Sequence, residues 1–231
     1  PNVPYSGFVG DGSVGYIKLD EFTTDAAKNV REAFVKLKKE KPDMKGVILD
    51  LRGNGGGLMN EAVDIVNLFV PKGKMVVSMR GKAANANSVH PTTNEPVDLE
   101  IPLAVLVDGS SASASEIVAG AIQDYDRGVI IGERTFGKGL VQEQIMLSDK
   151  SAIRVTVARY YTPTGRCIQK PFTGNKEDYL FESYERYENG ELFSADSIHF
   201  ADSLKYYTPQ GKVVYGGGGI MPDVYVPLVN D

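Results

Sequence analysis

Four serines and one lysine are the residues of this chain whose types and spacing could carry covalent chemistry. Ser110, Ser111, Ser113 and Ser115 stand before an apolar run with helical spacing (EIVAGAIQDY), and Lys138 follows between Gly137 and Gly139. A serine hydroxyl is a poor nucleophile until an adjacent base takes its proton. A lysine serves as that base only when neutral. Withdrawal from water lowers a lysine pKa from about 10.4, and bringing it to about 7.5 costs roughly 4 kcal/mol of stability. If Ser113 and Lys138 meet in space, they make a nucleophile and its base. Such a pair needs a sheltered pocket with few acids beside the ammonium. Gln142, four residues after Lys138, can orient it through a neutral hydrogen bond without holding it charged. Neither histidine, His90 in a polar loop nor His199, lies in a motif.

Plainer readings compete for the same residues. Ser113-Ala114-Ser115-Glu116 is a capping box, in which the serine caps a helix and the glutamate reaches back to its N–H. Gly132 to Lys138 spells G-x-x-x-x-G-K, the start of a phosphate-binding loop, but Gly139 stands where a magnesium-holding Ser or Thr belongs. The glycines beside Lys138 suit close backbone approach better than a free surface turn.

The elements that must position these residues alternate between strands and helices. VGYIKLDEF (14–22) reads as a strand, and Thr23 or Thr24 is the expected cap of a helix with the stripe Ala26, Ala27, Val30, Ala33, Phe34 and Leu37. Its basic end, KLKKEK, suits the negative end of a helix dipole, and Pro42 stops it. GVILDL (46–51) and PLAVLVD (102–108) are short apolar runs of the kind buried on both faces of a parallel sheet, and GVIIGE (128–133) reads as a further strand. The first ends at RGNGGG (52–57), ahead of a helical LMNEAVDIVNLFV. A strand, a glycine-rich turn and a helix leave backbone N–H groups free at a helix start, which suits an anion or a developing oxyanion. The same glycines also suit a plain tight turn. Residues 72–100 read as a strand near MVVSMR followed by a polar surface loop.

Bulk properties limit the function classes. At 231 residues, 42% of them hydrophobic, the chain suits one sizeable domain. A net charge of −5 points to neither nucleic acid nor an anionic membrane surface. No apolar run is long enough for a membrane span. Cys167 is the single cysteine, which rules out an internal disulfide. No His/Cys/Asp group has metal-ligand spacing, so no cofactor is expected. The start at Pro1, with no leader pattern, reads as a processed or cut-out chain.

Several blocks in order, LDLRGNGGG (49–57), SASASEIVAGAIQD (111–124), GERTFGKGLVQ (132–142), ARYYTPTGRCIQ (158–169) and PDVYVP (222–227), carry a resemblance. The chain resembles the carboxyl-terminal processing, or tail-specific, serine proteases over about residues 14–169 and 213–227. The resemblance implies Ser113 as nucleophile, Lys138 as base and Gln142 as its partner. It implies an oxyanion hole from the N–H of Ala114 and of a glycine in the 55–57 triplet, Gly57 first and Gly56 next. It implies an α/β fold, a Clp protease/crotonase-like core of stacked ββα units, and a bacterial setting outside the cytoplasm, periplasmic or membrane-associated. The implied substrate is a protein with an unstructured carboxyl-terminal tail. The alternative is a non-catalytic peptide-binding or scaffold domain on the same fold; a crotonase-like acyl-CoA enzyme shares the oxyanion logic without needing the serine.

Two departures from that family stand out. No segment here is a candidate for its peptide-binding PDZ domain, which is expected in flanking sequence. Residues 1–13 read as an entry segment of a single catalytic domain spanning 1–231, and residues 170–212 as an insertion. In the insertion YLFESYERY reads as a helix, and HFADSLKYYTPQGKVVY as a second helix or a strand pair. Its tyrosines (Tyr179, Tyr184, Tyr187, Tyr206, Tyr207) are expected to pack it onto the core rather than form a binding face.

Overall fold

The computed structural model describes residues 1–172 and 174–227. The chain begins with a hairpin, β1 (Tyr5–Val9) and β2 (Val14–Lys18), and continues into α1 (Ala26–Glu40) and β3 (Gly46–Asp50). Next come α2 (Met59–Asn67), β4 (Met75–Gly81), β5 (Ser88–Pro91) and β6 (Leu103–Val107). Then follow α3 (Ala114–Asp124), β7 (Val129–Gly132), β8 (Leu140–Met146) and β9 (Ala152–Tyr161). The last elements are α4 (Lys176–Glu188), β10 (Lys205–Tyr207), β11 (Val213–Tyr215) and β12 (Val224–Tyr225).

Three sheets result. The largest has the order β1-β2-β3-β6-β7-β12, parallel from β2 onward, with β1 added antiparallel at one edge. An antiparallel sheet, β5-β4-β9-β8, lies beside it, and β10 and β11 pair alone. Parallel neighbours require a crossover, and α1, α2 and α3 lie in the β2–β3, β3–β6 and β6–β7 connections. The apolar runs anticipated as strands are β3, β6 and β7, and Val47, Leu49, Val105, Val107 and Ile130 are buried in them. Burying one such side chain is worth about 1.5–3 kcal/mol, so these strands anchor the core. The carboxyl ends of β3 and β6 open into the RGNGGG and SSASAS turns, side by side, because β3 and β6 pair in register from Val47↔Leu103 to Asp50↔Leu106.

Helix α3 is buried along its whole length, polar residues included. Each buried polar side chain therefore needs a partner. Ser115 Oγ donates to Asn54 O at 2.9 Å, and Gln123 Nε2 donates to Met221 O at 2.8 Å. Asp124 accepts Arg166 Nη2 at 2.6 Å and the Thr164 hydroxyl at 2.8 Å. A carbon on Gly120 would stand 2.9 Å from Thr162 and 3.1 Å from Ile220, so only a bare backbone packs there.

Several expectations need correction. Helix α1 begins after Asp25, at φ 67°, with no side-chain cap; Thr23 contributes its carbonyl to Ala26 N–H instead. The polar stretch after β4 contains β5, which gains its backbone partners from β4. His90 sits in β5, where Nε2 meets Ser88 Oγ at 2.8 Å. In the insertion the second piece is the β10–β11 pair, and α4 is the expected helix. The tyrosines fasten it only in part: Tyr179 is half-buried and its hydroxyl accepts Gln169 Nε2 at 3.2 Å, whereas Tyr184, Tyr187 and Tyr207 are exposed, and Tyr184 stacks on Tyr187 along the helix surface. Charged side chains on α4, described below, supply further ties.

Candidate active site

The two turns at the carboxyl ends of β3 and β6 are stitched together by Asn54. Its Nδ2 donates to Leu19 O at 2.8 Å, its Oδ1 accepts Gly56 N–H at 2.9 Å, and its carbonyl accepts Ala112 N–H at 3.0 Å as well as Ser115 Oγ. Gly56 is thereby pressed onto the serine turn. A carbon on it would lie 2.6 Å from Ala112 O, 2.7 Å from Ser113 Cβ and 2.9 Å from Ala114 N, and its φ is +100°. Only glycine fits.

Of the four serines, three are otherwise engaged or solvated. Ser111 Oγ donates to Leu51 O at 2.8 Å and Ser115 Oγ to Asn54 O, while Ser110 is exposed. Ser113 remains, half-buried at the N-cap of α3 with φ 57° and ψ −113°. This conformation costs a non-glycine residue about 1–3 kcal/mol and persists only where the surroundings over-determine it.

What over-determines it is Glu116. This side chain is fully buried, and its two oxygens accept four hydrogen bonds. Oε2 takes Ser113 N–H at 2.9 Å and Lys138 N–H at 2.8 Å; Oε1 takes Gly137 N–H and the Thr135 hydroxyl, both at 2.6 Å. One carboxylate thus fixes the backbone of Ser113 and of Lys138 together. Burial pushes this carboxyl above the usual carboxylate range, and the four donors oppose that rise. Phe136 N–H donates to Ser111 O at 3.0 Å, a second tie between the two segments.

The N–H groups of Ala114 and Gly57 have no acceptor among the described residues, whereas Gly56 N–H is taken by Asn54. Gly57 itself bridges to Phe22, whose carbonyl accepts Leu58 N–H at 2.7 Å. Ala114 and Gly57 therefore have the free donors, and Gly56 supplies close approach.

Lys138 lies two residues before β8 and is followed by that strand, not by the helix a phosphate-binding loop requires. Gly137 has φ 89°, and a carbon on Gly139 would lie 2.6 Å from Gln169 N, so both glycines answer close backbone contact. The lysine side chain is exposed, with no ion-pair or hydrogen-bond partner among the described residues. The expected shelter is not found: the described residues leave the ammonium open to solvent. Lys138 and Gln142 line one cavity of about 570 Å3, together with Phe136, Leu140, Phe172 and Tyr179. Within it Gln142 Nε2 lies 3.4 Å from Thr156 Oγ1.

Asn54 and the fastening role of Glu116 escape the sequence. Glu116 is visible as the glutamate of a capping box, three residues after the cap, but its bonds to Thr135, Gly137 and Lys138 cross about twenty positions and leave no local pattern. No group of His, Cys, Asp and Glu that could hold a metal ion occurs among the described residues.

The model of peptidase family S41 matches residues 13–180. A carboxyl-terminal-processing protease of Synechocystis is 44% identical over 158 residues, covering 68% of this chain and 36% of that protein. A carboxy-terminal-processing protease of Bartonella bacilliformis is 42% identical over 161 residues, 69% of this chain and 37% of its own length. Among solved structures, a photosystem II D1 C-terminal processing protease superposes with a TM-score of 0.66 at 30% identity, over 98% of this chain and 46% of that one. The chain spans about a third of the length of these curated relatives. On the extent of the family match and the identity to these relatives, this chain belongs to peptidase family S41.

Proposed function

We propose that this chain is the catalytic part of a serine endopeptidase that cleaves proteins near their carboxyl-terminal tails, with Ser113 as nucleophile and Lys138 as base. The observation that carries this reading is the Glu116 carboxylate, which holds the Ser113 and Lys138 backbones at once. Ser113 is the serine left in a strained turn at a helix N-terminus, a conformation that presents its hydroxyl.

Neutral Lys138 takes the Ser113 proton, and Oγ attacks a peptide carbonyl. The Ala114 and Gly57 N–H groups receive the oxyanion at the amino end of α3, whose dipole favours negative charge. The lysine ammonium gives its proton to the departing amine, leaving an acyl-serine. A water, deprotonated by Lys138, attacks the ester, and Ser113 recovers its proton as the tail fragment's partner leaves. Because Lys138 is exposed here, shelter for a neutral lysine comes from the substrate itself, laid over the cavity it shares with Gln142. Gln142 orients the lysine once the cavity is filled. Gly56 serves by its bare backbone rather than its N–H.

The resemblance to bacterial processing proteases supports a site of action outside the cytoplasm, and a PDZ domain in flanking sequence that delivers the tail. A scaffold role would need neither Ser113 nor Lys138. The test is cleavage of an unfolded protein with a free carboxyl tail by the full-length protein and its Ser113→Ala and Lys138→Ala variants, read by mass spectrometry. Cleavage by the parent alone is expected; cleavage by all three would sink the assignment.

A further inference from the structure

The segment Arg134–Gly139, which carries Lys138, is neither helix nor strand up to Leu140, yet nearly every backbone group in it is bonded. On its N–H side, Thr135 donates to Ile220 O, Phe136 to Ser111 O, Gly137 and Lys138 to Glu116, and Gly139 to Gln169 Oε1. On its carbonyl side the partner is an arginine from the insertion. Arg186, on α4, is 5% exposed. Its Nη1 donates to Thr135 O at 2.9 Å and Arg134 O at 3.3 Å, and its Nη2 donates to Phe136 O at 3.2 Å. The next carbonyl, of Gly137, accepts Lys170 N–H at 2.9 Å.

The arginine is itself held. Its Nε donates to Glu182 Oε1 at 2.7 Å, one helical turn earlier, and Glu182 Oε2 accepts Lys170 Nζ at 2.9 Å. Lys170 is almost wholly buried and lies over the Phe136 ring at 4.3 Å and the Tyr179 ring at 4.5 Å. Arg134 pairs with Glu191 just beyond α4 through Nε and through Nη2 at 2.7 Å. Few of these bonds serve α4 as a helix; most join it to the segment ending in Lys138.

We propose that Arg186 is a positioning residue for the base: it grips the carbonyls of residues 134–136 from outside while Glu116 grips the N–H groups of residues 137 and 138 from within, and so α4 is part of the catalytic apparatus. The planar guanidinium is what the role needs, because it alone presents several donors at fixed angles to three successive carbonyls. A lysine there keeps the charge but cannot span them. The inference rests on the proposed role of Lys138.

The test uses the full-length protein, its Arg186→Lys and Arg186→Ala variants, and two readouts. One is steady-state cleavage of a tail peptide. The other is amide hydrogen exchange at Gly137 and Lys138, with the amides of α1 as an internal reference. For Arg186→Lys, kcat should fall roughly 10- to 100-fold, the size expected for a small misplacement of a catalytic group, with KM within about two-fold. Exchange at residues 137 and 138 should quicken while α1 is unchanged, which separates local release from general destabilisation. Guanidinium ion at sub-denaturing concentration should restore part of the activity of Arg186→Ala and none to Lys138→Ala. An Arg186→Lys enzyme with the parent's kcat, or with unchanged exchange at residues 137 and 138, would overturn the proposal. If the parent shows no Ser113-dependent cleavage, the assignment of Lys138 as base fails, and the exchange readout alone then decides whether Arg186 fixes the segment.

Discussion

Replacing Glu116 by glutamine changes one atom and removes the common support of Ser113 and Lys138. The two carboxylate oxygens face four donors and no acceptor, apart from the Thr135 hydroxyl, which can turn. Glutamine offers one oxygen and a nitrogen that is itself a donor. If the nitrogen takes the place of Oε2, the Ser113 and Lys138 N–H groups both lose their acceptor. If it takes the place of Oε1, Thr135 can rotate to accept, and Gly137 N–H alone is stranded. The second orientation is the cheaper. One buried N–H without a partner costs about 1–3 kcal/mol, and the surviving bonds lose the strengthening a charged acceptor gives, for a total of about 2–4 kcal/mol. In a domain of this size that corresponds to a Tm lower by roughly 5–15 °C. The segment 135–138 shifts to relieve the clash, so kcat should fall roughly 10- to 100-fold at temperatures where the variant is folded. Calorimetry of Glu116→Gln beside the parent, with peptide turnover well below either Tm, measures both. A variant within about 1 °C of the parent and within about two-fold in kcat would refute the reasoning. It would mean that this group does not act as an ionised acceptor shared by the two segments.

Other expectations follow from the same contacts. Gly56→Ala places a carbon against Ala112 O and Ser113 Cβ at φ +100°, so peptide turnover should be lost and thermal unfolding should come earlier; an active variant would misplace the serine turn. Ser113→Gly removes the strain of φ 57°, and equilibrium unfolding should show it more stable by about 1 kcal/mol or more, although inactive. Arg166→Met leaves Asp124 buried without its partner, and chemical denaturation should register a loss of about 3–5 kcal/mol. Burial alone would raise the Glu182 carboxyl, but the Arg186 and Lys170 charges outweigh it and hold it below the usual carboxylate range. The stabilisation from a lowered carboxyl is present above its unfolded pKa and lost as the pH falls through the folded one. Glu182→Gln should therefore lower Tm at neutral pH, and the gap from the parent should narrow below about pH 4.5.

The parts of this molecule that were legible in its sequence are those with local causes. β3 and β6 announce themselves as short apolar runs because they lie inside the main sheet, β7 does so although Val129 is exposed, and the glycine triplet marks where backbone must approach backbone. The serine-alanine repeat and the capping box locate the start of α3. The start of α1 was misplaced because a left-handed Asp25, rather than a threonine side chain, turns the chain into the helix. β5 was missed because its polar residues make a strand only when β4 is beside them. The tyrosines of the insertion suggest an apolar dock, yet Tyr184 and Tyr187 face solvent, and much of the attachment is made by Arg186 and Glu191, whose partners lie about fifty positions away. Glu116 is the intermediate case: its reach to Ser113 is local and legible, and its reach to Lys138 is not.

The central claim is that the Ser113 hydroxyl is the nucleophile and Lys138 makes it so. Its most direct measurement is the rate and site of covalent modification by a serine-directed fluorophosphonate, followed by intact mass and peptide mapping in the parent, Ser113→Ala and Lys138→Ala proteins. The account predicts one adduct per chain, on the peptide containing Ser113, absent from Ser113→Ala and strongly slowed in Lys138→Ala. An adduct on another residue, or equal labelling rates in the parent and Lys138→Ala, would contradict it.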